Sequence, residues 1–382
     1  MLLNWLIEGD FKSKFQAISK NKFALLFISL YVMHLIGMLY TQNIDFGLFD
    51  IQVKFSLLIF PLILVNRPIP FEKLKFVFLA FIAGGIISSL YLIFRAIYIN
   101  IATGENNFFY QAFSVLVHPS YIGMYLDFCV AWLLFSVLNK SFMQIRLFSF
   151  YAFSIILFFS FTIVLLSSKI GLITLILIFI GFLVYIIISR KKYLAGIIAM
   201  LFLLVSIYSM VRYVPFVHDR ILTAAQAMSS STNNQADSES TAVRLLIWKA
   251  ADQVISENFL FGTGTGDSKD VLVKEYEKRG MTGALEHKLN THNEFYQVFV
   301  SIGLIGFVLF MLSLLMPFGL AYKRADFLYI VFLLIIILNF IPESMLETQA
   351  GVMFYAFFNS LLCFSNSKPS DNNLSNIIIQ PL

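Results

Sequence analysis

The chain has 382 residues, of which 59% are apolar and 13% charged, with 43 Phe and a formal net charge of +5. So greasy a composition excludes a soluble domain of this length and makes the protein an integral membrane protein. The basic excess is distributed among the short connections between apolar runs, so it reports topology and carries no nucleic-acid inference.

In chain order, residues 1–22 hold Lys12, Lys14, Lys20 and Lys22 with no long apolar core, and read as a cytoplasmic leader rather than a cleaved signal peptide. Ten spans follow, at about 23–40, 51–66, 75–99, 119–138, 147–166, 170–189, 193–212, 293–319, 327–342 and 349–365. Uncharged runs such as Gly171 to Ile188, Tyr193 to Val211 and Phe295 to Tyr322 are long enough to cross a hydrocarbon core of ~30 Å as helices. The predicted fold class is therefore all-α, a polytopic membrane protein with one large outer loop containing short helices. Its divisions are the leader (1–22), seven transmembrane helices (23–212), the outer loop (213–291), three more helices (292–365) and a cytoplasmic tail (366–382).

Lys and Arg set the orientation. One side gathers the leader lysines, Arg67, Lys73, Lys75, Lys140, Arg146, Arg190 to Lys192, Lys323, Arg324 and Lys368, whereas the short loops of the other hold only Lys169. Both termini are expected inside and the long loop outside. Cys129 and Cys363 fall within spans, where a small apolar packing role is expected, and no CxxC, HExxH or paired-Asp cluster offers metal ligands.

The outer loop has internal pattern. Residues 229–241, SSSTNNQADSEST, are polar and low in complexity. Val243, Leu246, Ile247, Ala250, Ala251, Val254 and Ile255 then recur at helical spacing, predicting an amphipathic helix that lies on the membrane or on the transmembrane bundle. Arg244 and Trp248, four apart, share an adjoining side. Gly262, Gly264 and Gly266 break the helix; without the GK[ST] of a P-loop they read as a tight turn. Asp267 to Arg279 is expected to be a solvated helix closed by Gly280.

Residues that carry chemistry cluster at the loop's end. Thr291 and Glu294 have capping-box spacing, which would put His292 in the first helical turn, where the positive helix end favours a neutral imidazole beside a bound anion. The plainer role is an interface anchor. Lys54 inside the second span and Arg95 near the outer end of the third are charges in costly places, with snorkelling to headgroups as the alternative. Asp127 in the fourth span is a weaker suspect.

The order Ser168-Lys169 in an outer hairpin, Arg244-x-x-x-Trp248, Phe261-Gly-x-Gly-x-Gly266, then His292-Asn293-x-x-x-Gln297 followed by Gly303-Leu-Ile-Gly306 resembles the O-antigen ligase and polymerase superfamily of bacterial envelope glycosyltransferases. The family usually has arginine where this chain has Lys169, and many members have about twelve spans. The resemblance implies metal-free and cofactor-free transfer of a glycan from an undecaprenyl-pyrophosphate carrier to an acceptor hydroxyl of a lipid or polysaccharide, at the outer face of the bacterial inner membrane. It implies His292 as base, Asn293 orienting the base or the sugar, Lys169 and Arg244 on the pyrophosphate, and Trp248, Gly262, Gly264, Gly266 and Gln297 shaping the site; Lys54 and Arg95, by their placement, are further candidates for the pyrophosphate. A polymerase and a protein-acceptor transferase carry the same motifs. A transporter is disfavoured because the suspect residues sit at outer helix ends and not at the midplane.

Overall fold

The computed structural model describes residues 2–138, 148–191, individual positions between 193 and 212, and residues 241–365. Among these residues the fold is entirely helical. The helices are α1 (Leu2–Ile7), α2 (Phe11–Lys20), α3 (Lys22–Gly37), α4 (Ile44–Lys54), α5 (Ser56–Leu64), α6 (Phe71–Thr103), α7 (Tyr110–Phe113), α8 (Pro119–Leu138), α9 (Phe148–Leu166), α10 (Lys169–Arg190), α11 (Thr241–Glu257), α12 (Ser268–Lys278), α13 (Thr282–Glu286), α14 (Glu294–Lys323), α15 (Phe327–Phe340) and α16 (Gln349–Phe364), with a 3-10 turn at Met345–Glu347.

Six segments among the described residues are long and apolar enough to cross a membrane: Ile44–Leu64, Lys73–Thr103, Pro119–Leu138, Ser149–Leu166, Lys169–Ile188 and Glu294–Lys323. Three shorter apolar helices, α3, α15 and α16, coincide with the expected spans at 23–40, 327–342 and 349–365. The expected span at 193–212 and the polar segment 229–240 lie largely or wholly outside the described residues, as does the tail. The second span differs from expectation, starting at Ile44 rather than residue 51. Its early turns contain Asp45 and Asp50, which a hydropathy reading assigns to a loop. Asp50 enters the helix because Lys54, one turn on, neutralises it.

The described residues fall into two compact units. The first takes residues 2–69, 241–324 and 340–365. In it α5 packs on α16 and α3, and α3 packs on α14, around aromatics such as Phe310, Phe340 and Tyr355, with ring centroids 5.8 and 5.7 Å apart. The leader is folded: buried Lys14 lies 4.6 Å from the Trp5 ring centroid, donates to the Trp5 carbonyl and pairs with Glu8 at 3.4 Å.

Within the same unit α11, α12 and α13 form a small core of their own. Val243, Ile247, Ala250, Ala251 and Val254 pack with Leu272, Tyr276, Met281, Ala284 and Val300. The amphipathic stripe thus buries itself against its neighbouring loop helices and one turn of α14. Helix α12 is less solvated than expected, since Leu272 and Tyr276 are buried, and burial raises the Tyr276 phenol above its ordinary range. Glu275 pairs with Arg279 at 2.6 Å and with Lys278 at 3.4 Å, and Gly280 follows at φ +64°.

The second unit takes residues 70–138, 148–191 and 325–339. Helix α8 is its centre: Trp132 stacks on Phe78 at 5.1 Å, and Phe128 contacts Phe332 at 5.1 Å. A Cβ on Gly123 of α8 would stand 3.5 Å from the Gly171 Cα of α10, so the pair of glycines lets the two backbones come close. Cys129 and Cys363 are buried within α8 and α16 respectively.

Candidate active site at the head of helix α14

The first helical residue of α14 is Glu294, and its N-cap is Asn293, whose side-chain oxygen accepts from the Tyr296 N–H at 3.1 Å. The expected capping box is therefore corrected by two residues. Thr291 is buried, with Oγ1 2.8 Å from the Asn293 carbonyl and 3.1 Å from Gln297 Oε1. Gln297 Oε1 also accepts from the Thr291 N–H at 3.3 Å, the contact that Glu294 was expected to make. Glu294 instead points inward, where its Oε2 accepts from the Leu346 N–H at 2.7 Å.

His292 consequently stands ahead of the helix and not in its first turn. Its backbone is left-handed, φ +46°, a conformation that costs a non-glycine residue about 1 kcal/mol and persists only where neighbours enforce it. Its N–H bonds Asn290 Oδ1 at 3.0 Å, and Asn293 next to it is locked as the cap. The charge facing the imidazole is a carboxylate rather than a helix end: Nδ1 lies 3.4 Å from Glu343 Oε2.

The other oxygen of Glu343 accepts from Arg244 Nη2 at 2.9 Å. One carboxylate, itself largely buried, thus joins the two motif residues that the sequence reading marked as base and pyrophosphate cation. Trp248, one turn after Arg244, donates from Nε1 to the Thr291 carbonyl at 3.0 Å and stacks on Tyr296, with centroids 5.9 Å apart and planes 11° apart. The shared side of Arg244 and Trp248 faces the His292 segment, as their spacing predicts.

The glycine run meets a break in α14. Ile302 and Gly303 leave helical geometry, Gly303 at φ +64°. The freed groups bond the loop: Thr263 N–H to the Val300 carbonyl at 2.8 Å, Gly264 N–H to the Ser301 carbonyl at 3.0 Å, and Leu304 N–H to the Phe259 carbonyl at 2.9 Å. On the other side Asp267 accepts from the Asn43 and Gln42 N–H groups at 2.7 and 2.8 Å, and Gly264 has no room for a Cβ beside Thr41. The turn is a splice between α14 and the α3–α4 connection, and the second glycine motif, Gly303 to Gly306, is its counterpart.

The remaining cations separate. Lys54 is 1% exposed and clamped between Asp50 and Glu347, the latter at 2.8 Å. Arg95 in the second unit donates from Nη1 to the Ala112 carbonyl at 3.0 Å, tying α6 to α7. Lys169 opens α10 in that unit, one residue after its cap Ser168, whose Oγ accepts from the Gly171 N–H at 3.3 Å. Asp127 is fully buried in α8.

Residues 153–311 match the family model described as O-antigen ligase. Over this segment the chain is similar to the O-antigen ligase family. The family is one of membrane glycosyltransferases of ligase or polymerase type. No curated protein matches the chain. The O-antigen ligase match contains Lys169, Arg244, Trp248, the glycine run, His292, Asn293 and Gln297, and stops before Glu343. Glu343 was the residue that sequence reasoning missed. Its signal was there: an acid beside Pro342, four residues before Glu347, in the connection between two short apolar helices, on the side predicted to face outward.

Proposed function

We propose that the protein transfers a glycan from an undecaprenyl-pyrophosphate carrier to an acceptor hydroxyl at the periplasmic face of the bacterial inner membrane. The observation that carries this reading is the convergence of Arg244 and His292 on one carboxylate, at the head of an apolar helix long enough to span. Transfer of this kind needs a base for the attacking hydroxyl and a cation for the departing pyrophosphate.

His292 takes the proton of the acceptor hydroxyl. The oxygen's electron pair forms the new bond to the anomeric carbon, the old carbon–oxygen bond breaks, and its electron pair leaves on the carrier's pyrophosphate. Arg244 stabilises that leaving charge, with Lys169 as a second cation carried by the family resemblance. Asn293 acts on the base through the backbone by fixing the cap, and Trp248 fixes the Thr291 carbonyl just before it. The acceptor is a lipid or polysaccharide hydroxyl, and apolar spans supply the lipid-facing surface for the polyprenyl chain.

The test is His292→Ala in a strain lacking the chromosomal gene. Transfer should fall by about 10²–10⁴-fold, the usual worth of a general base, with the protein at normal level in the membrane. Glycan transfer near the wild-type rate overturns the base assignment. Long carrier-linked chains accumulating in the deletion strain support a ligase, and single repeats a polymerase.

A further inference from the structure

We infer that Glu343 is a positioning residue for the transfer: its carboxylate orients His292 through one oxygen and holds Arg244 in reserve through the other, releasing the arginine to the pyrophosphate when the carrier binds. This rests on the roles of His292 and Arg244 just proposed.

Geometry supports the assignment on three counts. The two partners are on different oxygens, His292 Nδ1 at 3.4 Å from Oε2 and Arg244 Nη2 at 2.9 Å from Oε1, so they do not compete for one lone pair. The side chains of Arg244 and His292 are 22% and 24% exposed and that of Glu343 is 10% exposed, which leaves the carboxylate enclosed and its partners reachable from outside. The backbone around Glu343 is stitched to the backbone around His292. Ser344 Oγ accepts from the Asn293 N–H at 3.1 Å and lies 3.1 Å from Thr291 Oγ1, and Leu346 N–H bonds Glu294 at 2.7 Å. Residues 291–294 and 343–346 therefore move as one piece, and the carboxylate keeps station opposite the imidazole.

The chemistry follows from these contacts. A carboxylate facing Nδ1 selects the tautomer with its proton there, which leaves the Nε2 lone pair for the acceptor hydroxyl. As the hydroxyl proton moves to Nε2, an imidazolium forms against a negative charge already in place. Before the carrier arrives that charge is matched by Arg244. Once the pyrophosphate draws Arg244 away, the imidazolium that forms during transfer replaces it, so the enclosed carboxylate is left uncompensated only between the two steps. The arrangement couples donor binding to activation of the base.

Glu343→Gln keeps the shape and one acceptor oxygen and removes the charge. In full-length protein in lipid nanodiscs it should bind undecaprenyl pyrophosphate about fivefold more tightly, the worth of a partly exposed ion pair no longer competing for Arg244. Transfer in the deletion strain should fall about 10²-fold, as for loss of a group that orients a catalytic histidine. Glu343→Asp should restore wild-type carrier binding and part of the transfer. In a His292→Ala background, Glu343→Gln should still tighten binding and reduce transfer no further. A merely structural brace would lose binding and transfer together. The inference is overturned if Glu343→Gln transfers at the wild-type rate, or if it binds the carrier no better than wild type. Normal transfer by His292→Ala alone would instead locate the failure in the base assignment.

Discussion

Gly262 and Gly303 are packed backbone against backbone. A Cβ on Gly262 would stand 2.5 Å from the Gly303 nitrogen and 2.6 Å from the Ser301 carbonyl oxygen, and both glycines have positive φ, +73° and +64°. The glycine-run turn and the break in α14 are thus one feature made by two separated motifs. Ala at either position meets backbone that cannot yield, and it also adopts a disfavoured φ. Each change should destabilise the purified protein by about 2 kcal/mol or more, read as a lower melting temperature in detergent. Gly84→Ala, in α6 with open space around it, is the control and should leave the melting temperature in place.

Trp248 contributes two separable contacts. Trp248→Phe keeps an aromatic ring over Tyr296 and deletes the hydrogen bond to the Thr291 carbonyl, whereas Trp248→Ala deletes both. Thr291 immediately precedes His292, so loss of the bond should be felt at the base. Transfer should fall in the order wild type, Phe, Ala, with each step about 3- to 10-fold given ~1 kcal/mol for a neutral hydrogen bond or an aromatic pair. Equal rates for the Phe and wild-type enzymes would remove the hydrogen bond from the site's support.

Lys54→Met separates structural charge from functional charge. Removing the buried ammonium strands Asp50 and Glu347, a loss of about 3–5 kcal/mol for a broken buried ion pair. The amount of folded protein in the membrane should drop sharply. The fraction that folds should bind undecaprenyl pyrophosphate as wild type does, and weaker binding by that fraction would return Lys54 to the substrate site.

Lys169→Arg and Lys169→Met test the departure from the family's usual arginine. If the residue acts by charge on the leaving group, Arg keeps most activity, since it grips phosphate with two parallel hydrogen bonds, and Met loses it. Wild-type transfer by Lys169→Met would make the lysine a headgroup contact.

Topology is open to cysteine labelling. Single cysteines placed at residues 260 and 287 should react with an impermeant reagent from the periplasm, and one at residue 324 should be protected until the membrane is permeabilised. Protection of residue 260 in intact cells would reverse the orientation on which the outward-facing chemistry depends.

Much of this protein was written in its sequence. Apolar run length alone marked α3, α5, α6, α8, α9, α10, α14, α15 and α16, because a bilayer demands about 20 apolar residues and no soluble fold requires that repeatedly. The i, i+4 spacing of Arg244 and Trp248 was enough to put both on one side of their helix, since local helical geometry needs no partner to be specified. Tertiary structure decided what depends on residues far apart in the chain. Thr291 lost the cap to Asn293 because Ser344, some fifty residues on, takes the Asn293 N–H and Gln297 takes the Thr291 N–H. Lys54 found its second carboxylate in Glu347, 293 residues away. Glu343 stayed hidden in the sequence for the same reason: one of two acids in a short connection, it has no assigned partner until folding delivers Arg244, 99 residues before it, and His292, 51 residues before it, to its two oxygens. Spacing along one helix is encoded locally, whereas the pairing of charges across helices exists only once burial has removed the water that would otherwise serve each of them separately.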